Sequence, residues 1–446
     1  MYYIFLPLLH AAILFYLSVA FCWVPRILVI GAGINGLFSA FYLSASGYDV
    51  VLVDRGDILS GTSGRFHGML HSGARYAVND PKSAKECASE SEFLFRAAPS
   101  MIDDTGGYFI ALSAKEEDYG DSLLKACKEC NVSATDYEVS ELLDENPFIN
   151  HNVKRAIRVP DRVIHGYEFG ISVAALASLN GAKIRSFEGV SGIEFTRKEA
   201  VVSFRNYRGR EHKDRFDFVL NTTGPYASSI LEMAGLNDVE VMPTLGTMIC
   251  FRGTYTSSIL NRMRLPSDGD IVVPYGCETI GGTQAVVTVN PDSPEIDPEE
   301  LEEMRNELAN MVPILARKTF ERYYYSIRPL IRSGDLDPRQ ASRDFYIFDH
   351  SSNHKLPMIS VLGGKFTTAR LVGFETASKV SEALGGGSIK LAELRLDTAV
   401  DSLMESLGTI EKELLEVSKA RIGTMDDRLS RETKFLLCAS SFISRE

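Results

Sequence analysis

The sequence predicts an α/β fold: a Rossmann-like domain that the chain leaves and re-enters, an antiparallel-sheet domain interleaved with it, and a helical C-terminal tail. Three observations carry the prediction. A β-branched apolar run at Arg26 to Val29 leads into Gly31-Ala-Gly33-Ile-Asn-Gly36 and then a helical stretch, the opening of a βαβ unit. The middle of the chain alternates short strand and helix signals instead of grouping them, as a sheet visited more than once requires. A buried-type strand returns late, at Met358 to Leu362, and is followed by Gly363-Gly364 and a further helix that runs through Leu384.

Taken in order, residues 1–25 form an apolar leader with no charged residue from Ile4 to Val24. Roughly 21 helical residues at 1.5 Å each reach about 31 Å, the depth of a bilayer core. A signal anchor is one reading. A cleaved signal peptide is another, since Ser18-Val19-Ala20 offers a small-x-small step, although no positive residue precedes the run. A buried core helix is the third. The first two imply membrane association through this segment, with a mitochondrial or other organelle membrane as the alternative.

The first domain is expected to comprise 26–80, 150–235 and 340–390. It opens with a strand at Arg26 to Val29, a helix at Leu37 to Ser46 and a strand at Tyr48 to Asp54, and resumes with a strand at Ala156 to Val159 and a helix at Phe169 to Asn180. Strands follow at Ala182 to Arg185, through Phe204, and at Phe218 to Asn221. The second domain, 81–149 with 236–339, takes a strand at Phe109 to Leu112, antiparallel strands between Val241 and Thr288, and a Glu-rich helix from Pro298 to Lys318. Turns are expected at Ser267-Asp-Gly-Asp and Tyr275-Gly276. Leu396, Val400, Leu403, Leu407 and Ile410 give the tail, 391–446, its helical spacing.

A chain of 446 residues with 45% hydrophobic and 24% charged side chains has ordinary globular composition and room for two or three units. Its net charge of -12 excludes a general nucleic-acid surface, so any anionic ligand must be met by a local basic pocket. The 7 cysteines are irregularly spaced and make a poor disulfide framework. Cys127 and Cys130 form one CxxC without the second pair a four-ligand metal site needs, so no metal is assigned.

The glycines of the first turn have separate tasks. Gly31 permits the tight turn, Gly33 lets the backbone approach a pyrophosphate, and Gly36 lets helix and strand pack closely. The phosphates then sit on the helix N-terminus, and Asp54, closing the second strand, is placed to accept bonds from an adenosine ribose. This pattern does not separate FAD from NAD.

The segment Gly61-Thr-Ser-Gly-Arg-Phe-His-Gly-Met-Leu-His-Ser-Gly-Ala-Arg-Tyr76 separates them. It resembles the FAD-dependent glycerol-3-phosphate dehydrogenases of the DAO-type flavoprotein oxidoreductases, and His71 to Tyr76 repeats the pattern of the catalytic A subunits of the bacterial anaerobic enzymes. Further landmarks share the likeness: Asn221-Thr-Thr-Gly224, Tyr325-Ser-Ile-Arg328-Pro-Leu330, Ser342-Arg343-Asp344 and Gly363-Gly364-Lys365-Phe-Thr-Thr368. The resemblance runs from about Arg26 to about Ala383. It implies a glutathione-reductase or DAO type fold and an FAD site formed by Gly31, Gly33, Asn35, Gly36, Asp54, Arg55, Thr62, Ser63, Gly68, Leu70, Val190, Thr223, Gly224, Gly363, Gly364, Lys365, Phe366, Thr367 and Thr368.

It also implies a substrate: sn-glycerol 3-phosphate or a similar small phosphorylated alcohol, held by Arg75, Tyr76, Arg328, Arg343 and Lys365; the expected electron acceptor is a quinone, which a membrane segment in the apolar leader would suit, or a protein. Arginine suits the task because its planar fork holds phosphate oxygens bidentately. Oxidising a secondary alcohol requires a hydride acceptor and a base; His71 is the candidate base by type and position, with Arg328 and Lys365 as further catalytic groups. His67 is expected to pack near the cofactor. Backbone amides after Gly364 are placed to stabilise negative charge on a reduced ring. The chain departs from the family at Gly281-Gly282-Thr283-Gln284, at Thr367-Thr368-Ala369-Arg370 and at Ser326, which bears on substrate preference. Two alternatives remain: an enzyme of a 2-hydroxy acid such as 2-hydroxyglutarate, or of an amine, and a catalytically silent flavin-binding subunit.

Overall fold

The computed structural model describes residues 24–331 and 344–406, apart from 197, 198 and 238. Most of the apolar leader, Ser342 and Arg343, and Leu407 and Ile410 of the tail lie outside the described residues. No helix among those described is long and apolar enough to cross a membrane.

Along the chain come β1 (Arg26–Ile30), α1 (Ile34–Ala45), β2 (Asp49–Val53), α2 (Pro81–Ala97), β3 (Gly107–Ala111), α3 (Ala114–Glu129), β4 (Thr135–Tyr137), β5 (Arg155–Val159), α4 (Gly166–Leu179), β6 (Lys183–Arg185) and β7 (Phe218–Asn221). Then follow β8 (Val241–Arg252), β9 (Ile259–Arg262), β10 (Ile271–Tyr275), β11 (Glu278–Gly282), β12 (Val286–Val287), α5 (Pro298–Met311), β13 (Arg322–Ile331), β14 (Phe345–Asp349), β15 (Met358–Gly363), α6 (Ala369–Ala383) and α7 (Leu396–Ser406).

The first sheet has 6 strands in the order β14-β15-β7-β1-β2-β6. All pairs are parallel except β14 against β15 at the edge. Ile27 to Ile30 are buried because helices and loops cover both faces, which is why β1 reads as a continuous apolar run rather than an alternating one. Val29 lies opposite Leu52 on one side and Leu220 on the other. The sheet grows from β1 in both directions, to β2 on one side and β7 on the other, so a crevice opens at the carboxyl ends of these strands, where ligands of such sheets bind. Helix α1 is apolar on nearly every face because α4 and α6 pack against it. Leu396 and Val400 of α7 complete the same core.

The second sheet has 9 strands and is built around β8, which pairs with β13 along one edge and with β11 and β12 along the other. The sheet is not wholly antiparallel as expected: β9 runs parallel to β3, Leu260 opposite Tyr108. Strand β5, within the span 150–235 assigned to the first domain, pairs with β3 of this second sheet. Helix α5 lays Leu301, Met304, Leu308 and Met311 on Ile249 and Phe251. It ends at Met311, short of the expected Lys318, because Pro313 drives Val312 out of the helical region (φ -129°, ψ 85°). Cys127 and Cys130 are buried with Leu123 and Val132, and burial pushes the Cys127 thiol up to about 12.

Candidate active site

One cavity of about 1050 Å³ runs between the two sheets, at the top of the roughly 300–1,000 Å³ range of small-molecule sites. Gly31, Gly33, Asn35, Asp54, Arg55, Thr62, Ser63, Val190, Thr223, Gly224, Gly363, Gly364, Lys365 and Phe366 line it, as do His67, His71, Arg75, Tyr76 and Arg328. Gly36, Gly68, Leu70, Thr367 and Thr368 do not. They stand behind the wall and shape it.

The Gly-rich turn is tight for steric reasons. Gly31 has φ +107°, and a Cβ there would lie 2.8 Å from the Thr222 carbonyl oxygen; a Cβ on Gly36 would lie 2.0 Å from Gly31 O. Asp54 accepts Ala32 N–H at 2.7 Å and Gly56 N–H at 2.8 Å, so the carboxylate locks the turn to the end of β2. Burial raises its pKa, an effect opposed by those two amides. Ser63 Oγ accepts Ile34 N–H at 3.0 Å, one of the free amides at the start of α1. Asn35 Nδ2 reaches Gly363 O at 3.3 Å and joins this turn to the loop after β15. In that loop Gly363 and Gly364 both have positive φ, and Asp344 O takes Gly364 N–H at 3.1 Å. Gly68 has φ +78° and sits under the Tyr275 ring, where a Cβ would approach to 2.6 Å. Leu70 and Thr367 are fully buried, and Thr367 Oγ1 accepts His71 N–H at 3.1 Å. Thr368 Oγ1 accepts Lys365 N–H at 3.3 Å.

At the other end the cations differ in their commitments. Arg75 is held by Asp270 at 2.7 Å and Asn261 at 3.2 Å; Asp270 is fully buried, so one of the expected phosphate ligands arrives already paired. Arg328 Nη2 donates to Thr283 Oγ1 at 2.6 Å. Lys365 Nζ donates to Ser83 Oγ at 2.8 Å and lies 4.8 Å from the centre of the Tyr76 ring. Burial pulls the Lys365 ammonium below its ordinary value, against the raising pull of Cys87, Asp80, Glu86 and Asp344.

Two imidazoles meet edge to face, His67 and His71, with ring centres 5.7 Å apart. His67 Nδ1 accepts Met69 N–H at 3.1 Å, so the neutral ring carries its proton on Nε2. Burial, with Arg75 and Arg328 nearby, lowers its pKa to about 3. His71 is likewise held well below its ordinary value by burial, then by His67, Arg75 and Lys365. Its Nε2 lies 3.3 Å from the Tyr76 hydroxyl, while its Nδ1 is buried without a protein partner. A buried, unpartnered nitrogen on a cavity wall is the condition of an atom that meets a ligand.

Sequence reasoning missed Thr283, Ser83, Asp270 and Asp161. Asp161 is fully buried, accepts Ser72 N–H at 2.7 Å and so holds the segment between His71 and Arg75. Thr283 shows in the sequence only as a departure from a motif, and the others lie far in sequence from the groups they hold.

The parallel sheet, the crevice at its switch point, the glycine turn and the acid after β2 define a dinucleotide-binding protein. Consistent with this, a model of the FAD dependent oxidoreductase family, DAO, matches residues 26–370, and the chain belongs to that family, whose cofactor is FAD. The residues fit the group: Gly33 at the start of α1 and the Asp54 carboxylate both line the cavity, as a pyrophosphate and a ribose require. The chain is 35% identical over 376 residues to the A1 subunit of anaerobic glycerol-3-phosphate dehydrogenase from Haloferax volcanii, covering 81% of this chain and 64% of that protein. It is 32% identical over 368 residues to the A subunit of the Escherichia coli enzyme, covering 80% and 67%. It thus spans about two thirds of the length of these relatives. The fold is similar to L-alpha-glycerophosphate oxidase from Mycoplasma pneumoniae with FAD bound, at 16% identity and a TM-score of 0.67, covering 84% of this chain and 98% of that one. Glycine oxidase from Geobacillus kaustophilus superposes with a TM-score of 0.65 at 16% identity, covering 83% and 98%.

Proposed function

We propose that this chain oxidises sn-glycerol 3-phosphate to dihydroxyacetone phosphate. The observation that carries the reading is that Arg75, Arg328 and Lys365 line the same cavity as His71 and Tyr76 in a molecule whose net charge is -12. A phosphate dianion is admitted to a buried site only against positive charge. The names of the 35% and 32% identical relatives support the same substrate. The chemistry that FAD supplies when bound is acceptance of the hydride from carbon and delivery of the electrons to a quinone or another acceptor.

The remaining work belongs to the protein. Arg328, Lys365 and Arg343 hold the phosphate, and Arg75 adds a donor already oriented by Asp270. His71 Nδ1 takes the hydroxyl proton, with Nε2–H turned to Tyr76. A base kept neutral by burial is ready near pH 7 without first losing a proton. A first domain of 26–80, 150–235 and 340–390, with β5 given over to the second sheet, and attachment to a membrane through the apolar leader belong to the same proposal.

Anaerobic bleaching of the purified yellow protein with glycerol 3-phosphate, glycerol, 2-hydroxyglutarate and glycine tests it. Glycerol 3-phosphate is expected to bleach fastest, and Arg343→Ala to raise the concentration required far more than it changes flavin content. Bleaching by the hydroxy acid or the amine alone would replace the substrate. No bleaching by any compound would indicate a silent flavin-binding subunit.

A further inference from the structure

At the end of the cavity that Asp54 lines, part of the wall comes from a segment that follows a strand of the other sheet. Residues 288–297, between β12 and α5, pass over this end, and Pro291 and Asp292 line the cavity there. Asp292 Oδ1 accepts from two groups of the first sheet's loops at once: Arg55 Nη2, directly after β2, and the Tyr226 hydroxyl at 2.9 Å, just after β7. The Arg55 guanidinium stacks 3.9 Å over the Tyr226 ring, so three segments meet in one knot. Beyond β12, which is paired to β8, and the bond from Thr288 N–H to Pro243 O at 2.9 Å, the strap leaves the second sheet, and Val289 is 101% exposed. Among the described residues, Asp292 makes the strap's hydrogen bonds to the first-sheet side.

We propose that Asp292 is a cofactor-retaining residue: by clasping Arg55 and Tyr226 it keeps the 288–297 strap across the nucleotide end of the cavity and limits the rate at which FAD leaves. Arg55 and Asp292 are both more than half exposed, so the ionic part of the clasp is screened by salt. The phenol bond and the stacking persist when the ions are screened. Partial burial would raise the Asp292 pKa, but the bonds from Arg55 and Tyr226 hold it below the usual carboxylate range, so the clasp is charged at neutral pH. The inference depends on the FAD site and not on which alcohol is oxidised.

The test follows free-FAD fluorescence after dilution of the holoprotein, without substrate, at low and high sodium chloride, alongside melting of the FAD-free protein. Asp292→Asn and Asp292→Ala are expected to release FAD about 5-fold faster at low salt, the effect of roughly 1 kcal/mol. They should also lose the acceleration by salt that the parent protein shows, whereas Asp292→Glu retains it, and Tyr226→Phe, which keeps the ion pair, retains it too while releasing FAD at an intermediate rate. Equal release rates and equal salt responses in all variants would overturn the proposal. So would faster release accompanied by a matching fall in the melting temperature of the FAD-free protein, which would make Asp292 a general structural residue. Substrate bleaching plays no part in either readout, so failure here leaves the substrate assignment intact.

Discussion

Arg328 and Thr283 meet across the second sheet, Nη2 of one 2.6 Å from Oγ1 of the other, and the space for that contact is provided by Gly246. A Cβ on Gly246 would stand 2.5 Å from the same Nη2 and 2.7 Å from Thr283 Oγ1. Gly246→Ala is therefore expected to displace the guanidinium and raise KM for glycerol 3-phosphate about 10-fold, each decade being roughly 1.4 kcal/mol. Thr283→Val removes only the hydrogen bond and should cost less. Steady-state kinetics with flavin content as control decides: an unchanged KM in both variants removes Arg328 from the phosphate site.

The two buried imidazoles make stability depend on pH. His67 and His71 have folded-state pKa values below the ordinary 6.5, so the unfolded chain binds more protons as pH falls. Their contribution is complete above about pH 6.5 and is lost below it, at about 1.4 kcal/mol per pH unit for each histidine. Urea unfolding between pH 7 and pH 5 should show this slope, and His71→Gln should flatten it by about half. The acid limb of kcat/KM, by the same reasoning, is expected well below pH 6.5, and a limb centred at 6.5 would remove His71 as the base.

Lys365 is pulled the same way, toward its neutral form. Burial favours its neutral form, so the ammonium is lost below the ordinary 10.5, and affinity for a phosphate should weaken as pH rises toward that value. Lys365→Met is expected to raise KM by about 10-fold or more and to abolish this alkaline limb, on the scale of 1.4 kcal/mol per decade. Persistence of the limb in the variant would assign it to another group.

Glu90 and Arg370 form a bidentate pair between α2 and α6, with Nε to Oε2 at 2.8 Å and Nη2 to Oε1 at 2.5 Å. Both side chains are largely buried, so removing one partner leaves the other charge stranded. Glu90→Ala should destabilise the protein by about 3–5 kcal/mol, measured by denaturant unfolding. A loss under about 1 kcal/mol would mean that water reaches Arg370 and the pair behaves as a surface one.

What is legible in the sequence is what is local. The run Arg26 to Val29, the three glycines and Asp54 announce β1, the turn and β2, because strand composition, steric freedom and position along the chain are all written within thirty or so residues. The end of α5 is also written locally, in Pro313, but Leu315 prolongs the apolar spacing and hides it. Pairing partners are not legible. The parallel pairing of β9 with β3, and the antiparallel pairing of β5 with the same strand, depend on where distant strands arrive. The charge state of the site is hidden for the same reason: Asp270 neutralises Arg75 from 195 residues away, and Ser83 takes Lys365 from 282 away. The cationic residues can be named from the sequence, but their partners cannot.

Thr222 closes against Gly31 across 191 residues, its hydroxyl 3.0 Å from the glycine carbonyl, and β1 lies exposed along one edge until β7 arrives. At about 5–20 residues per second on a ribosome, that interval lasts roughly 10–40 s. For all of it an apolar strand of the nucleotide-binding sheet is a naked edge, able to pair with any neighbouring chain. Slow decoding ahead of residue 222 would therefore lower the yield of soluble protein, and a holdase bound near the emerging β1 would restore it.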